Sequence, residues 1–234
     1  MNIKILHMIE GAKEATGLAV IIDVFRAFSL ECYFINNNAK TVIPVANKEI
    51  AYKLKAENPD YILAGESQEK IIDGFDYGNS PTHIENIDFT EKTIVHTTSA
   101  GVQGIVNAVN AKEIITGSLV NARAIVEYIK KSKHTTVSLV CMGLGLVELK
   151  QQEEDNLCAE YIKAILEDRT IDIEKEIENL KVTSGSKIFD KTKKNFYPEK
   201  DFYLCTQVNK FDFVLKVEKD EHGINYIKKN LVRV

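Results

Sequence analysis

The chain has 234 residues, of which 44% are hydrophobic and 27% are charged, and its formal net charge is −4. This composition is typical of an ordinary globular protein, and the length suffices for one α/β core or at most two small domains. The slightly acidic balance excludes the basic footprint of a nucleic-acid-binding protein, so an anionic ligand would need local positive groups.

Strand and helix patterns alternate along the chain. Short apolar runs rich in β-branched residues predict strands at residues 18–22, 41–45, 61–63, 93–95, 113–115 and 136–140. Helical periodicity predicts helices near 27–34, 48–55, 102–109, 122–131, 155–166 and 171–180. The runs at 211–217 and 224–228 predict a C-terminal hairpin.

This alternation predicts an α/β fold with three layers, α/β/α, around a largely parallel or mixed sheet. We expect a single domain over residues 1–234 with a small C-terminal extension, because too little chain follows the lysine-rich stretch 187–200 to form another domain. The pattern leaves open whether the extension completes the main sheet.

Polar clusters follow several of the predicted strands. Asp23 and Arg26 follow the first, Gly65-Glu66 follow the third, and a glycine-rich loop occupies residues 74–81. Because open α/β proteins hold ligands beyond the carboxyl ends of their strands, we expect these clusters to meet. Asp23 can bind a hard cation or cap the next helix, and Arg26 can bind phosphate or pair with Asp23.

The loop 74–81 carries an acid, an amide and a hydroxyl, namely Asp76, Asn79 and Ser80. Magnesium takes one or two carboxylates and keeps several waters, which Glu66 and Asp76 satisfy. The alternative interpretation is a structural turn, which accounts for about half of such loops when they are considered alone.

Hydroxyls and backbone N–H groups converge before two further helices. Thr98, Ser99 and Gly101 precede one helix, and Ser118 precedes another. Such a turn can bind an anion, although an ordinary helix cap is the commoner explanation. His96 ends a strand, where a packed histidine is commoner than a catalytic one.

Glu153, Glu154 and Asp155 open the predicted helix 155–166. Acids in a first turn are favoured by the helix dipole alone. However, Glu154 and Asp155 lie four and three residues before Cys158, at the end of the buried stripe, so that their carboxylates can reach a crevice.

The motifs together resemble the 2-phosphosulfolactate phosphatase family. Its members carry I-D-V-x-R-A, G-E, G-F-D-x-G-N-S-P, T-T-N-G-T and E-D-x-x-C-A, and this chain has 22-IDVFRA-27, 65-GE-66, 74-GFDYGNSP-81, 97-TTSAG-101 and 154-EDNLCA-159. The resemblance implies a magnesium-dependent phosphatase that hydrolyses a phosphate ester of sulfolactate, a step of coenzyme M synthesis in methanogens; relatives also occur in bacteria.

The resulting hypothesis assigns roles to eleven residues. Asp23, Arg26 and Asp155 are the predicted catalytic residues, and Mg²⁺ is held by carboxylates drawn from Asp23, Glu66, Asp76 and Asp155. The predicted partner is a small anionic phosphorylated or sulfonated acid, bound by Asp76, Asn79, Ser80, Thr98, Ser99, Gly101 and Ser118. The absence of D-x-D-x-T leaves open whether Asp23 attacks phosphorus or water attacks directly.

Two alternatives remain. The turn 97–101 lacks the amide and final hydroxyl of T-T-N-G-T, and 26-RAFS-29 replaces R-A-T-T, so the chain can be a homologue that binds a phosphorylated or sulfonated acid without turnover. Gly143-Leu144-Gly145 is a weak sign of a nucleotide-binding module, since the third glycine is missing.

Cellular location and assembly have weaker signals. The four cysteines show no C-x-x-C spacing, the start lacks a signal-peptide pattern, and no run approaches the roughly 18 apolar residues of a membrane span. These features predict a cytoplasmic protein with reduced thiols and no membrane or nucleic-acid partner. A homodimer is compatible with exposed sheet edges, but no residue locates its interface.

Overall fold

A computed structural model of the protein describes residues 1–67, 70–143 and 152–232. The strands in these ranges are β1 (Asn2–His7), β2 (Gly17–Ile22), β3 (Thr41–Pro44), β4 (Ile62–Ser67), β5 (Lys70–Ile71), β6 (Thr93–Thr97), β7 (Ala111–Gly117), β8 (Thr136–Cys141), β9 (Phe213–Lys219) and β10 (Asn225–Leu231). The α-helices are α1 (Met8–Glu14), α2 (Ala27–Asn36), α3 (Lys48–Glu57), α4 (Gly101–Asn107), α5 (Ala122–Lys131), α6 (Glu153–Leu166), α7 (Ile173–Leu180) and α8 (Glu199–Cys205).

The strands form one mixed sheet in the order β1-β8-β2-β7-β9-β10-β3-β6-β4-β5. One parallel section contains β1, β8, β2 and β7, and the other contains β3, β6 and β4. The C-terminal hairpin β9-β10 lies between them and pairs antiparallel with β7 on one side and β3 on the other. The C-terminal extension therefore completes the sheet at its centre, a point that the sequence pattern left open.

The two parallel sections run in opposite directions, because three antiparallel pairings separate β7 from β3. Five strand-to-strand steps lie between β2 and β6. A twist of about 20–25° per step accumulates to roughly 100–125° over that distance. This rotation is consistent with the carboxyl ends of β2, β4 and β6 facing one cleft despite their opposed directions.

Helices cover both faces of the sheet, as the three-layer prediction requires. Alternate residues of β2 divide between two hydrophobic clusters, with Leu18 and Val20 in one and Ala19 and Ile21 in the other. The first cluster includes residues of α5, α6 and α8, and the second includes residues of α1, α2 and α4. Period-two alternation on a strand buried on both faces thus builds two cores.

The sequence missed several elements. It predicted nothing for β1, α1, β5 and α8, and it placed Glu66 on a loop, whereas Glu66 lies in β4. The lysine-rich stretch 187–200 contributes Ile188 and Tyr197 to the buried core. β5 has only two residues, too few for an alternating pattern to be recognised. In the described residues, no helix is long and apolar enough to cross a membrane.

Candidate active site

Asp23 lies at the carboxyl end of β2, where the chain turns into α2. Its Oδ1 accepts a hydrogen bond of 3.0 Å from the Ala27 N–H, so one carboxylate oxygen caps the helix. Asp23 is 6% exposed. A methyl group added at Gly101 would lie 2.9 Å from Oδ2, which shows how closely the start of α4 approaches the carboxylate. The cap interpretation therefore holds for one oxygen, and the other remains directed to the turn before α4.

Asp155, in the first turn of α6, joins two strand ends. Its Oδ1 accepts from the Val24 N–H and its Oδ2 accepts from the Gly143 N–H, both at 2.8 Å. The side chain is 1% exposed. The carboxylate thereby holds the segment after β2 against the segment after β8, beside Asp23.

Three neighbouring carboxyl groups share this buried region, and their charges oppose one another. Burial raises the pKa of Asp23 to about 6, and the charge of Glu66 adds to the increase. Burial raises the pKa of Glu154 to about 7, with Asp23 contributing. Burial, Glu154 and Asp23 hold the pKa of Asp155 well above its usual range. Such raised values are characteristic of sites that hold a proton or a cation.

Arg26 forms an ion pair that the sequence did not predict. Its Nη1 donates to Asp201 Oδ2 at 2.6 Å and to the Phe196 carbonyl oxygen at 2.7 Å. The guanidinium carbon lies 4.7 Å and 4.5 Å from the ring centroids of Phe196 and Tyr197. Arg26 and Asp201 are both buried. The expected alternative, a pair between Arg26 and Asp23, is replaced by this contact with α8.

The loop 74–81 is attached to the same ion pair. Ser80 Oγ donates to Asp201 Oδ1 at 2.8 Å, and Thr82 donates to that oxygen through both its N–H and its hydroxyl. Asn79 is 7% exposed, and its Oδ1 is buried without a hydrogen-bond partner. The loop thus holds Asn79 at a cavity that Arg26 also lines, and Ser80 donates a hydrogen bond to Asp201.

Asp76 lies apart from these groups. Its Oδ2 accepts from the Leu63 N–H at 2.9 Å and lies 4.0 Å from Lys55 Nζ, and the side chain is 45% exposed. The Leu63 carbonyl oxygen accepts the Asp76 N–H in return. These contacts dock the loop on β4, and they direct the carboxylate away from the other acids.

The ends of β4 and β6 form the opposite wall. Ser99 Oγ donates to Glu66 Oε1 at 2.9 Å, and the Ser99 N–H donates to the same oxygen at 3.3 Å. Thr98 Oγ1 accepts from the Val102 N–H at 3.4 Å, as a helix cap does. The predicted turn therefore combines a cap with a hydroxyl bound to a carboxylate.

Ser118 and His96 both contact side chains of α2, Ser29 and Glu31 respectively. Ser118 Oγ lies 2.6 Å from Ser29 Oγ, and Ser118 forms a reciprocal capping box with Asn121. His96 Nδ1 lies 2.8 Å from Glu31 Oε1, with both side chains fully buried. Neither Ser118 nor His96 lines the cavity that the other residues form.

That cavity has a volume of about 190 Å³. Two acids, Asp23 and Glu66, and two basic residues, Arg26 and Lys187, line it. The polar lining side chains are Asn79, Thr98 and Ser99, and the aromatic ones are Phe25, Phe196 and Tyr197. Ala100 and Gly143 complete the lining. Segments far apart in sequence contribute to it.

Six of the eleven predicted residues line this cavity, namely Asp23, Arg26, Glu66, Asn79, Thr98 and Ser99. Asp155 accepts from the lining Gly143, and Gly101 packs against the lining Asp23, whereas Ser80 donates to Asp201, which does not line the cavity. Ser118 and Asp76 also do not line it. Leu144 and Gly145 of the suggested nucleotide motif lie outside the described residues. Sequence reasoning missed Lys187, Phe196, Tyr197 and Asp201, because no local motif marks them.

Comparison with known proteins identifies the family of the chain. The 2-phosphosulpholactate phosphatase family matches residues 4–220. A "Probable 2-phosphosulfolactate phosphatase" of Bacillus subtilis is 32% identical over 202 residues, which cover 86% of this chain and 87% of the relative. A protein of the same description from Caldanaerobacter subterraneus is 32% identical over 213 residues, covering 85% and 87%. The chain belongs to the 2-phosphosulfolactate phosphatase family.

Proposed function

We propose that the protein is a magnesium-dependent phosphatase that hydrolyses the phosphate ester of 2-phosphosulfolactate or a related small phosphoacid. One observation carries this proposal: the family's separate motifs supply Asp23, Glu66, Asn79 and Thr98 to one small cavity. The family and the names of the relatives support the choice of substrate.

The size of the cavity favours a small acid over a nucleotide. Its volume of about 190 Å³ lies below the roughly 300–1,000 Å³ of sites for drug-sized ligands. Polar side chains on several walls can bind the oxygens of a compact phosphoacid, whereas the aromatic rings nearby stack on Arg26.

The donor set fits magnesium. No group of three His, Cys, Asp or Glu side chains suited to a metal occurs in the described ranges, but magnesium needs only one or two carboxylates when waters complete its shell. Asp23 and Glu66 line the cavity, and the buried Asn79 Oδ1 has no protein donor, so oxygen atoms of these three would hold the ion. When bound, magnesium would neutralise charge on the phosphoryl oxygens.

Asp23 is the residue best placed for proton transfer. Burial raises the pKa of Asp23 to about 6 in the metal-free protein, and a bound magnesium ion would lower this pKa and keep the carboxylate ionised as a base. In hydrolysis a water oxygen bonds to phosphorus, the phosphorus–oxygen ester bond breaks, and the released alcohol oxygen takes up a proton. Asp23 can accept the proton of that water, and direct attack of Asp23 on phosphorus remains the covalent alternative.

Other contacts of this chain keep the carboxylates in place. Asp155 fixes the backbone next to Asp23 through the Val24 N–H and the segment after β8 through the Gly143 N–H. Arg26 and Asp201 tie α2, α8 and the loop 74–81 together, which orients Asn79. Rigid support of this kind keeps reacting groups within the small tolerance that catalysis requires.

We place the reaction in the cytoplasm, since Cys32, Cys141, Cys158 and Cys205 are all buried free thiols. Disulfide-free thiols are typical of reducing compartments. A contribution to coenzyme M synthesis remains a prediction.

The test is phosphate release from racemic 2-phosphosulfolactate and a panel of other small phosphoacids, with magnesium and then with EDTA. We expect release that needs magnesium and that yields phosphate and sulfolactate in equal amounts from 2-phosphosulfolactate. Binding of these acids without release of phosphate would contradict the proposal and favour the non-catalytic homologue. Saturation by nucleotides alone would favour the nucleotide-binding module.

A further inference from the structure

The cavity needs a positive charge that the motifs do not provide. Asp23 and Glu66 line it, and the charge of Asp23 raises the pKa of the nearby Glu154 and Asp155. A phosphorylated acid carries its own negative charges, and like charges repel strongly in a partly buried site. Within the described part of the chain, the cations that line the cavity are Arg26 and Lys187.

Arg26 is already neutralised by the protein. Asp201 lies 2.6 Å from its Nη1, and the Arg26 side chain is only 3% exposed. The same Nη1 donates to the Phe196 carbonyl oxygen, and two aromatic rings cover the guanidinium. Moving Arg26 toward a ligand would leave the charge of Asp201 uncompensated in the protein interior, which is costly. Arg26 therefore acts mainly as a structural residue that holds Asp201 and the Phe196 backbone.

Lys187 is held at the cavity by its neighbours in the chain. It lies in a 3₁₀ helix, Ser186–Phe189, and the adjacent Ile188 is buried in the core at 2% exposure. Gly185 packs so tightly that an added methyl group would lie 2.7 Å from the Leu180 carbonyl oxygen and from the Phe202 ring. The backbone position is thereby fixed, while the partly exposed Lys187 stem can reach the cavity.

The ammonium group lies on the cavity side of this segment. Lys187 Nζ is 5.6 Å from the centroid of the Tyr197 ring, and Tyr197 also lines the cavity. Its positive charge also acts on both Asp23 and Glu154. A lysine ammonium is a compact point charge with three donors, which suits the oxygens of a phosphoryl or sulfonate group.

We propose that Lys187 binds an oxyanion of the substrate, and that it is a specificity-determining residue of this site. The proposal rests on the proposed function for the identity of the ligand as a small phosphoacid. Phosphoryl and sulfonate groups share the relevant chemistry, so either end of 2-phosphosulfolactate can occupy the position.

The experiment compares Lys187→Met, Lys187→Arg and the control Lys191→Ala, which removes an exposed lysine of the same segment. Steady-state phosphate release with magnesium gives KM and kcat, and calorimetry gives the Kd of inorganic phosphate and of sulfolactate. Thermal unfolding shows whether each variant is folded.

We expect Lys187→Met to raise KM by about 10-fold or more, as loss of one charge-assisted contact does, while kcat changes much less. Lys187→Arg should recover most of the affinity, and Lys191→Ala should match the wild type. An increase in the phosphate Kd would place the phosphoryl group at Lys187, and an increase in the sulfolactate Kd alone would place the sulfonate there.

Unchanged KM and Kd values in a folded Lys187→Met variant would overturn the inference while leaving the phosphatase proposal intact. If the wild type releases no phosphate but binds these anions through Lys187, the proposed function fails and the inference stands. A loss of thermal stability in Lys187→Met with unchanged Kd values would assign Lys187 a structural role and overturn the inference.

Discussion

Replacing Glu154 by glutamine should stabilise the metal-free protein at alkaline pH. Glu154 is 3% exposed, and its Oε2 is buried without a hydrogen-bond partner. Burial raises its pKa from 4.5 to about 7. As pH increases, the unfolded chain releases this proton near 4.5, whereas the folded protein retains it until about 7. The folded state therefore loses stability between these values, and the full penalty applies above 7.

The size of the effect follows from the same shift. A difference of about 2.5 units, from 4.5 to about 7, corresponds to roughly 3 kcal/mol at 1.36 kcal/mol per unit. Between pH 5 and pH 8 the accessible part is roughly 2 kcal/mol, because unfolded glutamate is already partly ionised at pH 5. Glutamine keeps the shape of the side chain and removes this titration.

The assay is urea unfolding in EDTA at pH 5 and pH 8 for the wild type, Glu154→Gln and Glu160→Gln. Glu160 lies on the same helix with a 49% exposed side chain, so its replacement should shift stability by less than about 0.5 kcal/mol. We expect the stability of Glu154→Gln relative to wild type to increase by roughly 2 kcal/mol from pH 5 to pH 8. If the free energies of unfolding of Glu154→Gln and wild type differ by the same amount at both pH values, burial does not raise the pKa of Glu154 and the prediction is wrong.

Three further predictions follow from buried contacts. Asp201→Asn should lower the free energy of unfolding by about 3–5 kcal/mol, because Arg26 is left without its buried counter-ion; a loss below about 1 kcal/mol in urea unfolding would contradict this. Gly101→Ala should reduce phosphate release by about 10-fold or more, because the added methyl group would lie 2.9 Å from Asp23 Oδ2. The same substitution should lower the free energy of unfolding by only about 1–3 kcal/mol. Wild-type kinetics in this variant would contradict the prediction, because Asp23 would then tolerate displacement. The thiols of Cys32, Cys141, Cys158 and Cys205 should react with Ellman's reagent only after unfolding, since burial raises the pKa of each; rapid labelling of the native protein would contradict their burial.

The sequence predicted the elements whose hydrophobic pattern spans several periods. The strand and helix around Asp23 were predicted nearly to their ends, because β2 is buried on both faces and α2 follows at once. The C-terminal hairpin was also predicted, with its strands shifted by about two residues. Its insertion between β7 and β3 depends on pairings between distant segments, which no local pattern records.

The site residues likewise fall into those that a local pattern predicts and those that only distant contacts bring to the site. Motif residues such as Asp23 and Thr98 were found because polar groups directly follow apolar strands. Asp201 was missed since it meets Arg26 across 175 residues of sequence, on a seven-residue helix with no motif of its own. Lys187 was missed because a lysine-rich stretch has the composition of a solvated surface, and only the burial of Ile188 shows that it packs on the core.

The most direct test of the proposed function is the time course of phosphate release from 2-phosphosulfolactate in magnesium by the wild type and by Asp23→Asn. Asparagine can still accept the Ala27 N–H that Asp23 Oδ1 accepts, so the helix cap is kept while the charge and the proton acceptor are lost. We expect continuous release by the wild type and a rate reduced by about 10²–10⁴-fold in the folded variant. Equal rates for the two proteins, or no release by the wild type, would contradict this expectation.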